Sequence, residues 1–290
     1  MPKGANAPAL PHAVSQLRAA RLARSAKPFL ARGGPKGERC PGCRLVPSHC
    51  LCALRPQIDA RAGICLLMAD IEPLKPSNTG WLVADVVPDT FAFGWARTET
   101  DPALLALLAD PQWQPYVVFP GEFVAPERVV TQVQQTPHAG DNAQAKRPVA
   151  PRPVAPRLVA PRLVAPRLVA PRLVAPRPLF ILLDATWPEA RKMFRKSPYL
   201  DALPVLSLQP AQLSRYRLRR STRTDHFCTA EVAALCLALA GDDQASAVLE
   251  AWLDVFTHHY LQAKHQLPAD WQGMAHLALV QAATGAPDDA

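Results

Sequence analysis

The chain has 290 residues, 49% of them apolar, with 32 prolines, seven cysteines and a formal net charge of +8. That length admits one large domain or two small ones, and the apolar share can fill a sizeable core. No apolar run approaches the roughly 18–20 residues of a membrane helix, so a soluble chain with no membrane partner is expected.

The charge is unevenly spread. Residues 1–37 carry seven cations and no acid, and residues 146–178 carry eight cations and no acid, which leaves the rest of the chain at a net −7. The basic balance alone therefore does not argue for nucleic acid, and any basic patch on the body must be local.

Residues 1–37, rich in Ala, Arg and Pro, read as a disordered basic tail. Arg18, Arg21 and Arg24 at helical spacing without acids look superficially like a transit peptide, but a plain tail is favoured. No hydrophobic signal core precedes them, and a cytoplasmic location is expected. The segment 38–62 then places Cys40-x2-Cys43-x6-Cys50-x-Cys52 within thirteen residues. Four thiolates so spaced form the ligand set of a closed tetrahedral structural zinc; redox pairs or free thiols are the alternative. His49 reads as an exposed loop residue, with substitution as a ligand the other option. Cys65, Cys228 and Cys236 sit in apolar surroundings and read as core.

The body of the domain is expected in two halves, 63–130 and 179–265. Gly63–Met68 is a buried-strand candidate, and residues 101–109 predict a short helix with Asp101 as N-cap and Pro102 at its first position. Tyr116–Phe119 predicts a strand closed by the turn Pro120-Gly121. Between the halves, 131–178, a five-residue unit Ala-Pro-Arg-Leu-Val recurs with an arginine at every fifth position from Arg147 to Arg177. Proline at that density and a period matching neither helix nor strand predict an extended linker inserted in the domain.

Order resumes at Leu179–Leu183, a strand running into Asp184. A helix follows, with Thr186 and Glu189 at capping-box spacing and Pro188 in its first turn. Val205–Leu208 predicts another strand, and helices are expected over about 229–240 and 244–263, leaving 266–290 as a C-terminal extension. Strands alternating with helices predict an α/β fold with a mostly parallel sheet.

Asp184 stands at the carboxyl end of a buried strand, where ligand sites collect in open α/β sheets; the alternative is a helix cap. Trp187 can stack on a base or a cofactor, or fill the core. Arg191, Lys192, Arg195 and Lys196 form like-charge i, i+4 pairs, mildly destabilising without an anion to offset them. Ser214–Arg220 and Arg223 add five arginines around Tyr216, so nine cations stand on an acidic body, a phosphate-binding signal; a solvated charged face is the alternative. Two polar turns, Glu72-x2-Lys75-x-Ser77-Asn78-Thr79-Gly80 and Phe119-Pro120-Gly121-Glu122, fall at strand ends, where a small cofactor can be held; plain loop chemistry is the alternative.

Read together, Cys40-x2-Cys43-x6-Cys50-x-Cys52, Ser77-Asn78-Thr79-Gly80, Phe119-Pro120-Gly121-Glu122, Asp184-x-Thr186-Trp187, Ser214-Arg215-Tyr216-x-Leu218-Arg219 and Thr229-x-Glu231 resemble the DTW-domain family of tRNA-uridine aminocarboxypropyltransferases. The likeness spans roughly 38–130 and 179–262. It implies a SPOUT-like fold, of a kind that can be knotted, with an N-terminal zinc knuckle. It also implies transfer of the 3-amino-3-carboxypropyl group of S-adenosylmethionine to N3 of a tRNA uridine, releasing methylthioadenosine. Asp184 is then the base or orienting group, with Thr186 and Trp187 in the catalytic segment. Ser77, Asn78, Thr79, Gly80, Phe119, Pro120, Gly121, Glu122, Ser214, Arg215, Tyr216, Arg219 and Glu231 are expected to hold the donor. Within that set Arg215 or Arg219 suits its carboxylate, and Glu122 or Glu231 its ammonium. Arg191, Lys192, Arg195 and Lys196 are expected on tRNA phosphates, and Cys40, Cys43, Cys50 and Cys52 on structural zinc. No protein partner is implied. Relatives often place a histidine where this chain has Ala69. The alternatives are a SPOUT-type RNA methyltransferase or a non-catalytic zinc-containing RNA-binding protein.

Overall fold

The computed structural model describes residues 11–26, 29, 38–133, 175–208 and 227–285. Its centre is a six-stranded sheet in the order β2-β1-β5-β3-β6-β4, every pairing parallel. The strands are β1 (Gly63–Met68), β2 (Thr90–Gly94), β3 (Trp113–Val118), β4 (Val129–Val130), β5 (Arg177–Asp184) and β6 (Val205–Leu206). Because β5 lies between β1 and β3, the second half of the chain returns to fill the middle of a sheet begun by the first.

Every residue of β1 is buried, as expected of a strand covered on both faces. Alternation along β1 and β5 sorts their side chains between two cores. Ile64, Leu66, Met68, Phe180 and Leu182 join the larger core. It is closed by α1 (Ala13–Ala23), α2 (Gly80–Val86), α5 (Thr229–Leu239) and α6 (Asp243–Lys264). Cys65, Leu67, Leu179 and Ile181 face the smaller core, with Leu104 of α3 (Pro102–Ala109) and Met193 of α4 (Trp187–Arg195). The α/β expectation with a parallel sheet holds, with a helical layer on each face.

Local signals account for several boundaries. Asp101 caps α3 by accepting from Ala103 N at 2.9 Å. Glu189 Oε2 accepts from Thr186 N at 3.2 Å and Thr186 Oγ1 at 2.5 Å, fixing the start of α4. β5 begins two residues before the expected Leu179. Arg177 lies over the Trp113 ring at 4.5 Å, donates to Arg61 O at 2.7 Å and pairs with Asp89, which ties the last repeat arginine into the sheet.

Two expectations are corrected. Residues 13–23, assigned by composition to a disordered tail, form α1: Val14 is fully buried, Arg18 donates to Pro73 O and Leu74 O, and Arg21 pairs with Asp70 at 2.6 Å. His49 is not an exposed loop residue; it is buried, with its ring 5.9 Å from that of His259 on α6. The C-terminal extension contains α7 (Met274–Thr284), whose His276 meets His259 at 3.1 Å between Nε2 atoms. Of the expected linker, 134–174 lies outside the described residues. No helix among the described residues is long and apolar enough to cross a membrane.

Candidate active site

In an all-parallel sheet the carboxyl ends of the strands share one edge. Met68 of β1 is in register with Asp184 of β5, and Ala69 N donates to Asp184 O at 3.0 Å. Asp184 is 5% exposed, so its carboxylate depends on protein donors. Its Oδ2 accepts from Asn78 Nδ2 at 2.7 Å and its Oδ1 from Thr229 Oγ1 at 2.8 Å. Asn78 Oδ1 in turn accepts from Trp81 N at 3.0 Å, and Thr79 Oγ1 from Ala230 N at 3.4 Å. Three segments far apart in sequence thus converge on one carboxylate.

Glu72 adds a second buried carboxyl beside it. Burial, and then the charge of Asp184, push the Glu72 carboxyl above its ordinary range, while Lys75, its ion-pair partner, works in the opposite direction. Gly80 leaves room for this arrangement: a Cβ there would stand 2.6 Å from Asp184 Oδ2 and 3.3 Å from Asn78 Oδ1. Gly80→Ala is therefore expected to displace the carboxylate and lower turnover at least tenfold or so, since misplacement of a reacting group is costly. Thermal unfolding run beside steady-state kinetics would separate that local effect from loss of fold.

The Phe119 turn meets the Trp187 segment through aromatic rings. Phe119 is buried and stacks on Phe194 at 4.3 Å and on Trp187 at 5.5 Å; Phe123 packs edge-on to Trp187 at 5.7 Å. Trp187 nevertheless keeps 38% of its surface exposed, so it is neither a core residue nor a free one. Gly121 N donates to Ser207 Oγ at 3.0 Å, joining this turn to the residues after β6. Pro120 is half-buried and Glu122 exposed.

On α4, Ala190 and Met193 face the core, while Arg191, Lys192, Arg195 and Lys196 are exposed. The Arg191 guanidinium lies over the Phe123 ring at 4.7 Å and Lys192 Nζ over Trp95 at 5.8 Å; none of the four pairs with an acid among the described residues. Ser77 is half-buried in the turn before α2. Glu231, expected to meet an ammonium, is nearly buried and its Oε2 accepts from Cys228 N at 2.6 Å, a capping role at the start of α5. Ser214, Arg215, Tyr216 and Arg219 lie outside the described residues. Thr229, which enters the sequence reading only through the Thr229-x-Glu231 pair, is the member of that pair that meets Asp184. Glu72, in sequence only a member of a polar turn, is a buried carboxyl in the structure.

The cysteine knuckle is a separate centre. The Sγ atoms of Cys40, Cys43, Cys50 and Cys52 all lie within 4.8 Å of one another. Sulfur–sulfur distances are 3.4 Å for Cys40–Cys52, 3.5 Å for Cys40–Cys50 and 3.7 Å for Cys43–Cys50, and all four cysteines are free. Zinc–thiolate bonds near 2.3 Å give tetrahedral edges of about 3.8 Å, so the donor set fits a zinc ion. The hydrogen bond from Cys52 draws the Cys43 thiol down to about 5, whereas burial pushes Cys50 up to about 11. Thiols this crowded resist ionising together, which a divalent cation reverses. A Cβ on Gly42 would come within 2.6 Å of Cys52 Sγ, so the turn requires glycine.

No solved structure matches the chain. The family model described as the DTW domain matches residues 37–261, a span that takes in the knuckle, the Asn78 turn, Asp184 and the start of α5. This chain therefore belongs to the DTW family, that of the tRNA-uridine aminocarboxypropyltransferases, a family of tRNA-modifying enzymes.

Proposed function

We propose that the protein transfers the 3-amino-3-carboxypropyl group of S-adenosylmethionine to N3 of a uridine in tRNA. The observation that supports this reading most strongly is the double hydrogen bonding of Asp184 by Asn78 and Thr229. The uridine N3–H is weakly acidic, and its proton must leave as the new bond forms. A carboxylate oriented from two sides is suited to accept or steer that proton. The N3–Cγ bond forms as the S–Cγ bond breaks, and the bonding pair returns to sulfur, leaving neutral methylthioadenosine. The sulfonium is already an activated leaving group, so zinc at the knuckle has a structural part only.

Residue roles follow from position. Thr186 sets the start of α4, and Trp187 offers its exposed face to the uracil ring. Residues 77–80 and 119–122 flank the Asp184 edge and bind the donor. Glu122 is the better acid for the donor ammonium, because Glu231 Oε2 is engaged at a helix start. Ser214, Arg215, Tyr216 and Arg219 are assigned to the donor carboxylate end.

The four outward cations of α4 are assigned to tRNA phosphates. Replacing Arg191 and Arg195 together by alanine is expected to flatten the slope of log affinity against log salt by about 1.5, from two lost phosphate contacts. Fluorescence anisotropy with labelled tRNA over a salt series measures this; an unchanged slope would remove α4 from the interface. Nucleoside mass spectrometry of tRNA from cells lacking the protein tests the reaction. Loss of the aminocarboxypropyl-uridine peak supports the reading, and loss of a methylated nucleoside instead contradicts it.

A further inference from the structure

Arg44 is out of place for a surface cation. It is 2% exposed, and its backbone sits in the left-handed region at φ 65°, which a non-glycine residue seldom adopts. It follows Cys43 directly, and its amide donates to Cys40 O at 2.8 Å, so its backbone is part of the knuckle. Its side chain leaves the knuckle. Nη1 donates to Lys75 O and to Asn78 O, both at 3.0 Å, and the guanidinium lies over the Trp81 ring at 4.3 Å and the Phe256 ring at 5.5 Å. A second tie runs the same way: Trp81 Nε1 donates to Gly42 O at 3.1 Å. Burying a guanidinium is costly, and an apolar side chain would fill the space more cheaply. What arginine adds is two directed donors on the turn whose Asn78 side chain holds Asp184.

We propose that Arg44 is a positioning residue through which the cysteine knuckle sets the Asn78–Asp184 pair. A loaded knuckle fixes the Cys43–Arg44–Leu45 backbone; the guanidinium then fixes the carbonyls of Lys75 and Asn78, and Asn78 Nδ2 fixes Asp184 Oδ2. Without the metal this relay loses its anchor, although the metal touches no reacting atom. The link to catalysis rests on Asp184 being the reacting carboxylate; the coupling itself does not.

Hydrogen-exchange mass spectrometry on the full chain separates the two. Stripping zinc from the wild type with a chelator is expected to speed exchange across residues 72–82 about tenfold or more while residues 63–68 in β1 stay protected. Zinc-loaded Arg44→Met is expected to show the same local change with its metal content intact. Its kcat should fall roughly tenfold, with KM for tRNA within about twofold, and Arg44→Lys should recover part of that loss. Unchanged exchange at 72–82 in both the stripped wild type and Arg44→Met overturns the coupling. So does loss of protection in β1 to the same degree, which marks general unfolding. Should Arg44→Met fail to fold or to hold zinc, the stripped wild type decides alone. Altered exchange with an unaltered kcat would keep the coupling and instead overturn the role given to Asp184.

Discussion

Asp184→Asn is expected to lower kcat by about 10²- to 10⁴-fold, the contribution of a positioned general base. Asparagine keeps the volume and one carbonyl oxygen, so Asn78 Nδ2 or Thr229 Oγ1 retains an acceptor, and the threonine hydroxyl can turn to accept instead. What disappears is the negative charge and the proton-accepting oxygen. KM for tRNA should stay within about twofold, because the outward cations of α4 are untouched. Removing the charge also relieves the neighbouring carboxyl: Glu72, raised in part by Asp184, moves back toward its ordinary range. Alanine is a poorer test. It strands two buried donors at a cost of about 1–3 kcal/mol, mixing stability with chemistry. Single-turnover kinetics beside thermal unfolding would read the asparagine variant cleanly, and retention of wild-type turnover would mean that Asp184 only caps a strand end.

Cys43→Ser is expected to produce the largest loss of stability. Cys43 is the buried member of the four, and it accepts from Leu51 N at 3.4 Å while touching Cys50. Structural zinc contributes roughly 10–16 kcal/mol to finger peptides that have no core of their own. This chain has a core, so the expected loss is smaller, about 3–5 kcal/mol, or a fall in Tm of roughly 10–15 °C. Metal analysis should show zinc at one per chain in the wild type and a large loss in the variant. Chelator should destabilise the wild type and leave Cys43→Ser little changed. Equal Tm values with and without chelator would mean that the thiols serve a purpose other than metal binding.

Much of this arrangement was legible in the residues. The apolar run 63–68 has no polar side, so it had to be covered on both faces, and its neighbour β5 ends in a lone carboxylate. The knuckle spacing fixed four sulfurs within a few ångströms. Other parts were hidden for physical reasons. In α1 the buried stripe is Val14 and little else, and the surrounding alanines and arginines mimic a tail. β2 is five residues long and only partly buried, too short for periodicity to reveal it. The capping at Glu231 leaves no usual signal in the sequence, because a cysteine, Cys228, stands where serine or threonine is the common choice. Thr229 and Arg44 act across 45 and 34 residues of chain, and separations of that kind leave no local pattern. Residue 69 is instructive in the same way. Its backbone amide holds the Asp184 carbonyl, so alanine there keeps the strand ends joined without any side-chain group.

The most direct measurement is a reaction of purified protein with unmodified tRNA and S-adenosylmethionine, analysed for nucleoside and by-product together. Methylthioadenosine and an N3-aminocarboxypropyl uridine in equal amounts are the predicted result, both absent with Asp184→Asn. S-adenosylhomocysteine with a methylated nucleoside, or unchanged tRNA despite tight binding, would contradict it.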